Sequence, residues 1–218
     1  MKNILSLFFL VNILLCQNNY PIVLIHGFFG WGNDEMGNYR YWGGHKDIQK
    51  TLEDHGYTVF NVSVGPISSN WDRAVEVYYQ LKGGQVDYGY GHSKKYGLIQ
   101  KPDDKEYKGL YPEWDENHPI HIIGHSMGGQ TARMLQYLLE TELFEDISGK
   151  NKEKSELLGQ SNRGWISSIT SLATPHDGTT LVDIVTKTFP FIQYFIGLAG
   201  VVGTNFYNFD LSQWNLIR

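Results

Sequence analysis

Short runs of apolar residues alternate along most of the chain with segments of helical periodicity. Four runs rich in Val and Ile are typical of buried strands: residues 22–25, 58–64, 120–123 and 166–173. Between them, apolar residues recur three or four positions apart, as they do on one face of a helix. This alternation predicts an α/β fold in which helices cover both faces of a mostly parallel sheet.

Three segments carry the helical spacing: residues 43–54, 70–81 and 129–139. Two other stretches, 88–117 and 146–163, follow neither the helical nor the strand period. The first of them is rich in Gly, Tyr, Lys and Asp. Both therefore predict surface loops or inserted segments.

Two apolar segments stand apart from this pattern. Residues 1–18 combine Lys2 with an apolar stretch that is too short for a comfortable membrane span, which predicts a secretory signal and a secreted protein. The remaining residues, 19–218, would form one domain. Residues 181–203 are apolar but interrupted by Pro190 and by glycines. They predict either a buried core helix or an apolar lid that opens onto a lipid surface.

The segment at 124–128, Gly-His-Ser-Met-Gly, has the form G-x-S-x-G. It lies between a predicted strand and a predicted helix, which is the context of a nucleophile elbow. Gly124 and Gly128 remove the Cβ atoms that would block such a sharp turn. Ser126 is therefore the predicted nucleophile, and the alternative is a glycine-rich turn with an idle serine.

A His-Gly pair, His26-Gly27, ends the first predicted strand. In hydrolases with a nucleophile elbow, the loop after an early strand supplies one backbone N–H to the oxyanion hole, and the residue after the nucleophile supplies another. These donors would be the N–H groups of Phe28 and Met127. The alternative for His26-Gly27 is an ordinary tight turn.

Composition limits the partners. A chain of 218 residues is long enough for one α/β domain with a substantial core. Its net charge of −5 and pI near 5.9 argue against nucleic acid as a partner.

Several longer segments resemble the staphylococcal and thermoalkalophilic bacterial true lipases, family I.5. The segments that carry the resemblance are 21–28, 30–32, 41–44, 65–74, 86–89, 129–135 and 173–182. The resemblance implies an α/β-hydrolase fold and substrates that are triacylglycerols or other carboxylic esters, met at a lipid–water interface. It also gives Ser126, Phe28 and Met127 the roles stated above, and it implies a lid after Val182.

The chain departs from the family pattern in its catalytic triad. In these lipases the order is nucleophile, acid and histidine, and the last two lie beyond the segment that this chain matches. His176 is the one histidine after Ser126, and Asp177 follows it directly. Adjacent side chains normally point apart, so the acid and histidine of the triad are not found in this chain. We therefore expect a C-terminally incomplete lipase, and the alternative is a non-catalytic lipid-binding protein or fragment.

A structural zinc ion is a second feature that the resemblance implies, held by two aspartates and two histidines. Asp72 and His92 match one ligand of each type, but Leu98 stands where the second histidine would be, and the fourth position lies past Arg218. Closed zinc sites need about four ligands, so the sequence disfavours zinc, and the chemistry requires no cofactor. Asp72 has another interpretation, because Ser69-x-x-Asp72 is a helix-capping arrangement.

Overall fold

A four-stranded parallel sheet lies at the centre of the structure, a computed structural model that describes residues 18–103, 105–143 and 155–180. Six strands follow in chain order: β1 (Ile22–Ile25), β2 (Val59–Val62), β3 (Gly84–Gln85), β4 (Glu106–Tyr107), β5 (Ile120–His125) and β6 (Ile166–Leu172). The central sheet has the order β2-β1-β5-β6, whereas β3 and β4 form a separate antiparallel pair. The predicted α/β fold with a parallel sheet is confirmed.

The register of the sheet brings three strand ends together. Ile25, the last residue of β1, pairs with Val62 of β2 and with Gly124 of β5. At the next boundary, His125 pairs with Leu172 of β6. Because the strands are parallel, the loops after β1, β5 and β6 all leave from the same edge of the sheet, where ligands bind in open α/β folds.

The described residues form four helices: α1 (Ile48–Asp54), α2 (Asn70–Lys82), α3 (Tyr90–Tyr96) and α4 (Met127–Glu140). Side chains alternate between the two faces of β1, as expected for a strand buried on both sides. Val23 and Ile25 share a core with residues of α2 and α4, whereas Leu24 packs in a second cluster with Leu52 of α1. The prediction of helices on both faces is therefore confirmed.

Helix α2 begins at the predicted cap. The Ser69 hydroxyl accepts the backbone N–H of Asp72 at 3.1 Å and donates to its carboxylate at 2.9 Å. These contacts satisfy one of the otherwise unpaired N–H groups at the helix start. They also fix the position of the first turn, which carries Arg73 into the protein interior.

The prediction of surface loops is wrong for parts of 88–117 and 146–163. Tyr88, Trp114 and Leu157 are fully buried. Lys105, also buried, donates to Glu76 of α2 at 2.6 Å. Single apolar residues and a paired charge anchor these segments, and such anchors leave no periodic signal in a sequence.

Two predicted segments and part of a third lie outside the described residues. They are the secretory signal, apart from its last residue Asn18, the lid at 181–203, and residues 146–154 of the predicted loop at 146–163. In the part of the chain that the structure describes, no helix combines the length and apolar character that crossing a membrane requires.

Candidate active site

Ser126 occupies a sharp turn between β5 and α4. Its backbone has φ 53° and ψ −124°, a conformation that is strained for a residue with a side chain. The Ser126 N–H donates to the carbonyl of Leu172 at 2.8 Å, which ties the turn to the end of β6. Phe29, after β1, and Ala173, after β6, also have positive φ angles of 54° and 49°. The strain is thus concentrated at the edge of the sheet where the predicted site lies.

Two glycines make this turn possible. A Cβ on Gly124 would lie 2.5 Å from the carbonyl carbon of Gly128. A Cβ on Gly128 would overlap the carbonyl oxygen of Ile25 in β1. Both obstacles are backbone atoms that cannot rotate away, so the start of α4 packs directly on β1 because side chains are absent there.

The two predicted oxyanion donors have N–H groups that the secondary structure leaves unused. Gly27 N–H donates to the Tyr41 hydroxyl at 2.9 Å, and Phe29 N–H donates to the Pro66 carbonyl at 2.9 Å. Between them, the Phe28 N–H has no acceptor among the described residues. Met127 is the first residue of α4, so its N–H has no partner within the helix.

The loop after β1 lies against the nucleophile turn. A Cβ built on Gly27 would be 2.8 Å from Ser126 Cβ and 3.0 Å from the carbonyl oxygen of His125. Phe28 and Phe29 expose about half of their side chains beside this contact, with ring centroids 4.5 Å apart. The structure therefore brings Ser126, Met127 and the loop that carries Phe28 together.

His26 shapes this loop as a neutral side chain. It is fully buried, and its Nε2 accepts the Val64 N–H at 3.2 Å. Nδ1 then carries the proton and donates to the Gly27 carbonyl at 2.9 Å. Burial, with a smaller effect from the Arg73 charge, lowers the pKa of His26 from 6.5 to about 3. His26 therefore holds the loop in shape and stays neutral near pH 7.

Arg73 is a functional candidate that sequence reasoning missed. It is fully buried, and burial lowers its pKa to about 10 although the Glu76 charge opposes this, so it stays cationic at neutral pH. Its guanidinium donates to Thr131 Oγ1 of α4 at 3.0 Å, to the Gly65 carbonyl at 2.8 Å and to the carbonyl of His26. The available signal was a charged residue on the apolar face of an amphipathic helix.

Tyr41 is a second residue whose position the sequence did not reveal. Besides accepting the Gly27 N–H, its hydroxyl lies 2.5 Å from Nδ1 of His125, the residue before Ser126. A contact between positions 84 residues apart has no local signature in a sequence.

The two predicted metal ligands do meet in space. His92 Nε2 lies 2.8 Å from Asp72 Oδ1, and the His92 ring stacks on Trp71 with centroids 4.8 Å apart. Within the described ranges, however, no group of three or more His, Cys, Asp or Glu residues could hold a metal ion. A leucine stands at position 98. These residues alone do not fit a four-ligand zinc site.

His176 does not contact Ser126 in the described part of the chain. Its Nδ1 lies 3.4 Å from Nη1 of Arg133, and the His176 N–H donates to the Thr174 carbonyl within its own turn. Whether the His176-Asp177 pair serves Ser126 stays a prediction.

Comparison with known sequences identifies relatives among lipases. The family described as "Lipase-like, C-terminal domain" matches residues 18–218. Lipase 1 of Staphylococcus aureus strain MRSA252 is 40% identical over 208 residues, which cover 92% of this chain and 30% of that protein. The chain thus spans less than a third of the length of this curated relative.

Comparison with solved structures also identifies similar proteins. EstA from Clostridium botulinum is 44% identical with a TM-score of 0.76, covering 85% of this chain and 43% of its own. The lipase of Staphylococcus hyicus is 40% identical with a TM-score of 0.78, covering 86% of this chain and 50% of its own. The fold is therefore that of the α/β-hydrolase lipases, and the chain belongs to the family of lipase-like proteins with staphylococcal relatives.

Proposed function

We propose that this chain carries the nucleophile of a serine ester hydrolase that acts on triacylglycerols or other carboxylic esters. Ser126 Oγ attacks the ester carbonyl, and the N–H groups of Phe28 and Met127 hold the oxyanion that forms. Water then releases the acyl group. The proposal needs a histidine base and an acid that orients it, and the site described above contains neither.

The observation that carries the proposal is the backbone of Ser126. A strained, left-handed serine between a parallel strand and a helix is costly to a fold, and such strain is typical of active sites. The turn presents Ser126 beside the N-terminus of α4, whose dipole favours a developing negative charge. Both proposed oxyanion donors lie at the same edge of the sheet, with no competing acceptor in the described ranges.

The surroundings of Ser126 support an apolar substrate. Phe28 and Phe29 expose aromatic surface next to the nucleophile turn, 50% and 43% of each residue. Exposed aromatic pairs of this kind suit an acyl chain or a lipid surface. Relatives of this chain bear the name lipase, which agrees with a lipid ester as substrate. We propose secretion on the basis of the signal-like residues 1–18 and propose no nucleic-acid partner.

The proposal is tested by reacting the full-length protein with a fluorophosphonate probe and with p-nitrophenyl butyrate. Both labelling and turnover should disappear in Ser126→Ala and persist in Ser161→Ala, whose exposed hydroxyl donates to the Glu140 carbonyl. Absence of labelling in the parent protein, together with binding to triacylglycerol emulsions, would favour the non-catalytic lipid-binding alternative. Labelling that survives Ser126→Ala would place the nucleophile elsewhere.

A further inference from the structure

The hydroxyl of Tyr41 joins the two segments that carry the proposed oxyanion donors. It accepts the N–H of Gly27, the residue before Phe28, at 2.9 Å. It also lies 2.5 Å from Nδ1 of His125, two residues before Met127. One oxygen atom therefore contacts the loop after β1 and the end of β5.

The hydrogen-bonding capacity of a phenol accounts for both contacts. Because the oxygen accepts the Gly27 N–H, its own proton is available to His125 Nδ1. Nδ1 accepts this proton in the neutral tautomer of His125 that carries its own proton on Nε2. Burial raises the pKa of Tyr41, which keeps the hydroxyl protonated and able to donate.

The ring of Tyr41 is held by aromatic neighbours. Trp31 and Trp42 pack edge-on against it, with centroid separations of 5.3 and 5.6 Å. His26 and His125 lie at 5.7 Å on tilted planes. These contacts direct the hydroxyl toward Gly27 and His125, and they would persist if only the hydroxyl were removed.

The Tyr41 hydroxyl lies beside a close contact between the two segments. A Cβ added to Gly27 would lie 2.9 Å from the Tyr41 oxygen and 2.8 Å from Ser126 Cβ, so the loop after β1 and the nucleophile turn have no spare room between them there. A cavity of about 280 Å³ also borders Tyr41, Trp42 and His125, and side chains do not fill it. The hydroxyl is therefore a polar link at the edge of this contact.

We infer that Tyr41 is a positioning residue for the reaction proposed above: its hydroxyl sets the separation between the Phe28 and Met127 N–H groups. The inference rests on the proposed function. Oxyanion donors act only when both lie about 2.7–3.1 Å from the developing charge, and a displacement of about 1 Å can reduce the rate roughly a hundredfold. Tyr41 acts through the two loops and does not itself touch the oxyanion.

The kinetic test compares Tyr41→Phe with Tyr57→Phe in the full-length protein. Tyr57 follows α1 and is 42% exposed, so its variant is a matched control for loss of one hydroxyl. With p-nitrophenyl butyrate, we expect kcat of Tyr41→Phe to fall roughly 10- to 100-fold while KM changes less than about threefold. The Tyr57 variant should match the parent. A kcat within about twofold of the parent value, or an effect confined to KM, would overturn the inference.

A second measurement does not depend on activity. Hydrogen exchange at the Gly27 amide should be at least about tenfold faster in Tyr41→Phe than in the parent, because the amide loses its acceptor. The comparison is repeated in the Ser126→Ala background, where no turnover is expected. If turnover proves independent of Ser126, the proposed function fails, and the Gly27 exchange rate still decides whether Tyr41 holds the loop. Unchanged exchange in both backgrounds would refute the positioning role.

Discussion

Arg73 donates a hydrogen bond to the backbone carbonyl of His26, so a buried cation on helix α2 reaches the loop that carries Phe28. The same guanidinium contacts Thr131 of α4 and the carbonyl of Gly65, which follows β2. Three segments around the sheet edge are therefore connected through one side chain. A planar guanidinium with five fixed donors is suited to this role, whereas the single ammonium of lysine is not.

Replacing Arg73 with Met should destabilise the protein by about 3–5 kcal/mol, since it leaves buried acceptors unpaired and removes the cation that faces Glu76. Urea unfolding measures the loss. Arg133→Met is the matched control, because Arg133 is exposed on α4 and should change the free energy of unfolding by only about 0.5 kcal/mol. A loss below about 1 kcal/mol for the Arg73 variant would show that Arg73 does not hold the three segments together.

His26 should make stability depend on pH. Its pKa is about 3 in the folded state and 6.5 ordinarily, so between these values the unfolded chain binds a proton that the folded chain does not. Stability from this residue is thus complete above pH 6.5 and is lost as the pH falls toward 3, by up to about 1.4 kcal/mol per pH unit.

The measurement is urea unfolding between pH 7 and pH 4 for the parent and for His26→Gln, which retains an acceptor but does not titrate. The stability advantage of the parent should shrink as the pH falls. His45→Gln, at an exposed position, should keep the slope of the parent. If the free energies of unfolding of the parent and of His26→Gln change in parallel with pH, His26 does not cause the pH dependence.

Gly128→Ala tests whether close packing of backbone on backbone creates the nucleophile turn. Because the added Cβ would overlap the Ile25 carbonyl, we expect a loss of about 3 kcal/mol or more and no fluorophosphonate labelling. Gly37→Ala is the control: Gly37 has φ +57°, but an added Cβ would have no neighbour within 4 Å, so only the backbone cost of about 1–2 kcal/mol applies. Equal losses at the two sites would mean that the clash is relieved by small shifts.

Asp72 and His92 should not hold zinc by themselves. Two ligands fall short of the four that a closed zinc site needs, and each already contacts the other. Elemental analysis of the purified protein should give the same zinc content for the parent, for His92→Ala and for His118→Ala, whose histidine pairs with Asp115 at the surface. One zinc ion per chain that is lost only in His92→Ala would reverse this expectation.

The sequence predicted the parts of the fold that depend on local pattern. The β-branched runs marked the strands of the central sheet, although 58–64 proved longer than β2 (Val59–Val62). The glycines around Ser126 marked the strained turn, because a sharp strand-to-helix junction needs small residues at that spacing.

Contacts between distant positions were beyond this reasoning. Tyr41 meets His125, and Lys105 meets Glu76, only because the sheet and the long segment after α2 bring them together. A polar residue gains such a role from its partner, and the partner is not visible in the surrounding sequence. The buried polar contacts of the site were therefore found in the structure alone.

The three left-handed residues at the sheet edge, Phe29, Ser126 and Ala173, have a consequence for how this sequence can change. Glycine would adopt each backbone without the cost of about 1–2 kcal/mol that a side chain incurs. A chain selected for stability alone would drift toward glycine at these positions. At Ser126 a change to glycine would remove the hydroxyl, so stability favours glycine at this position whereas the proposed catalysis requires serine.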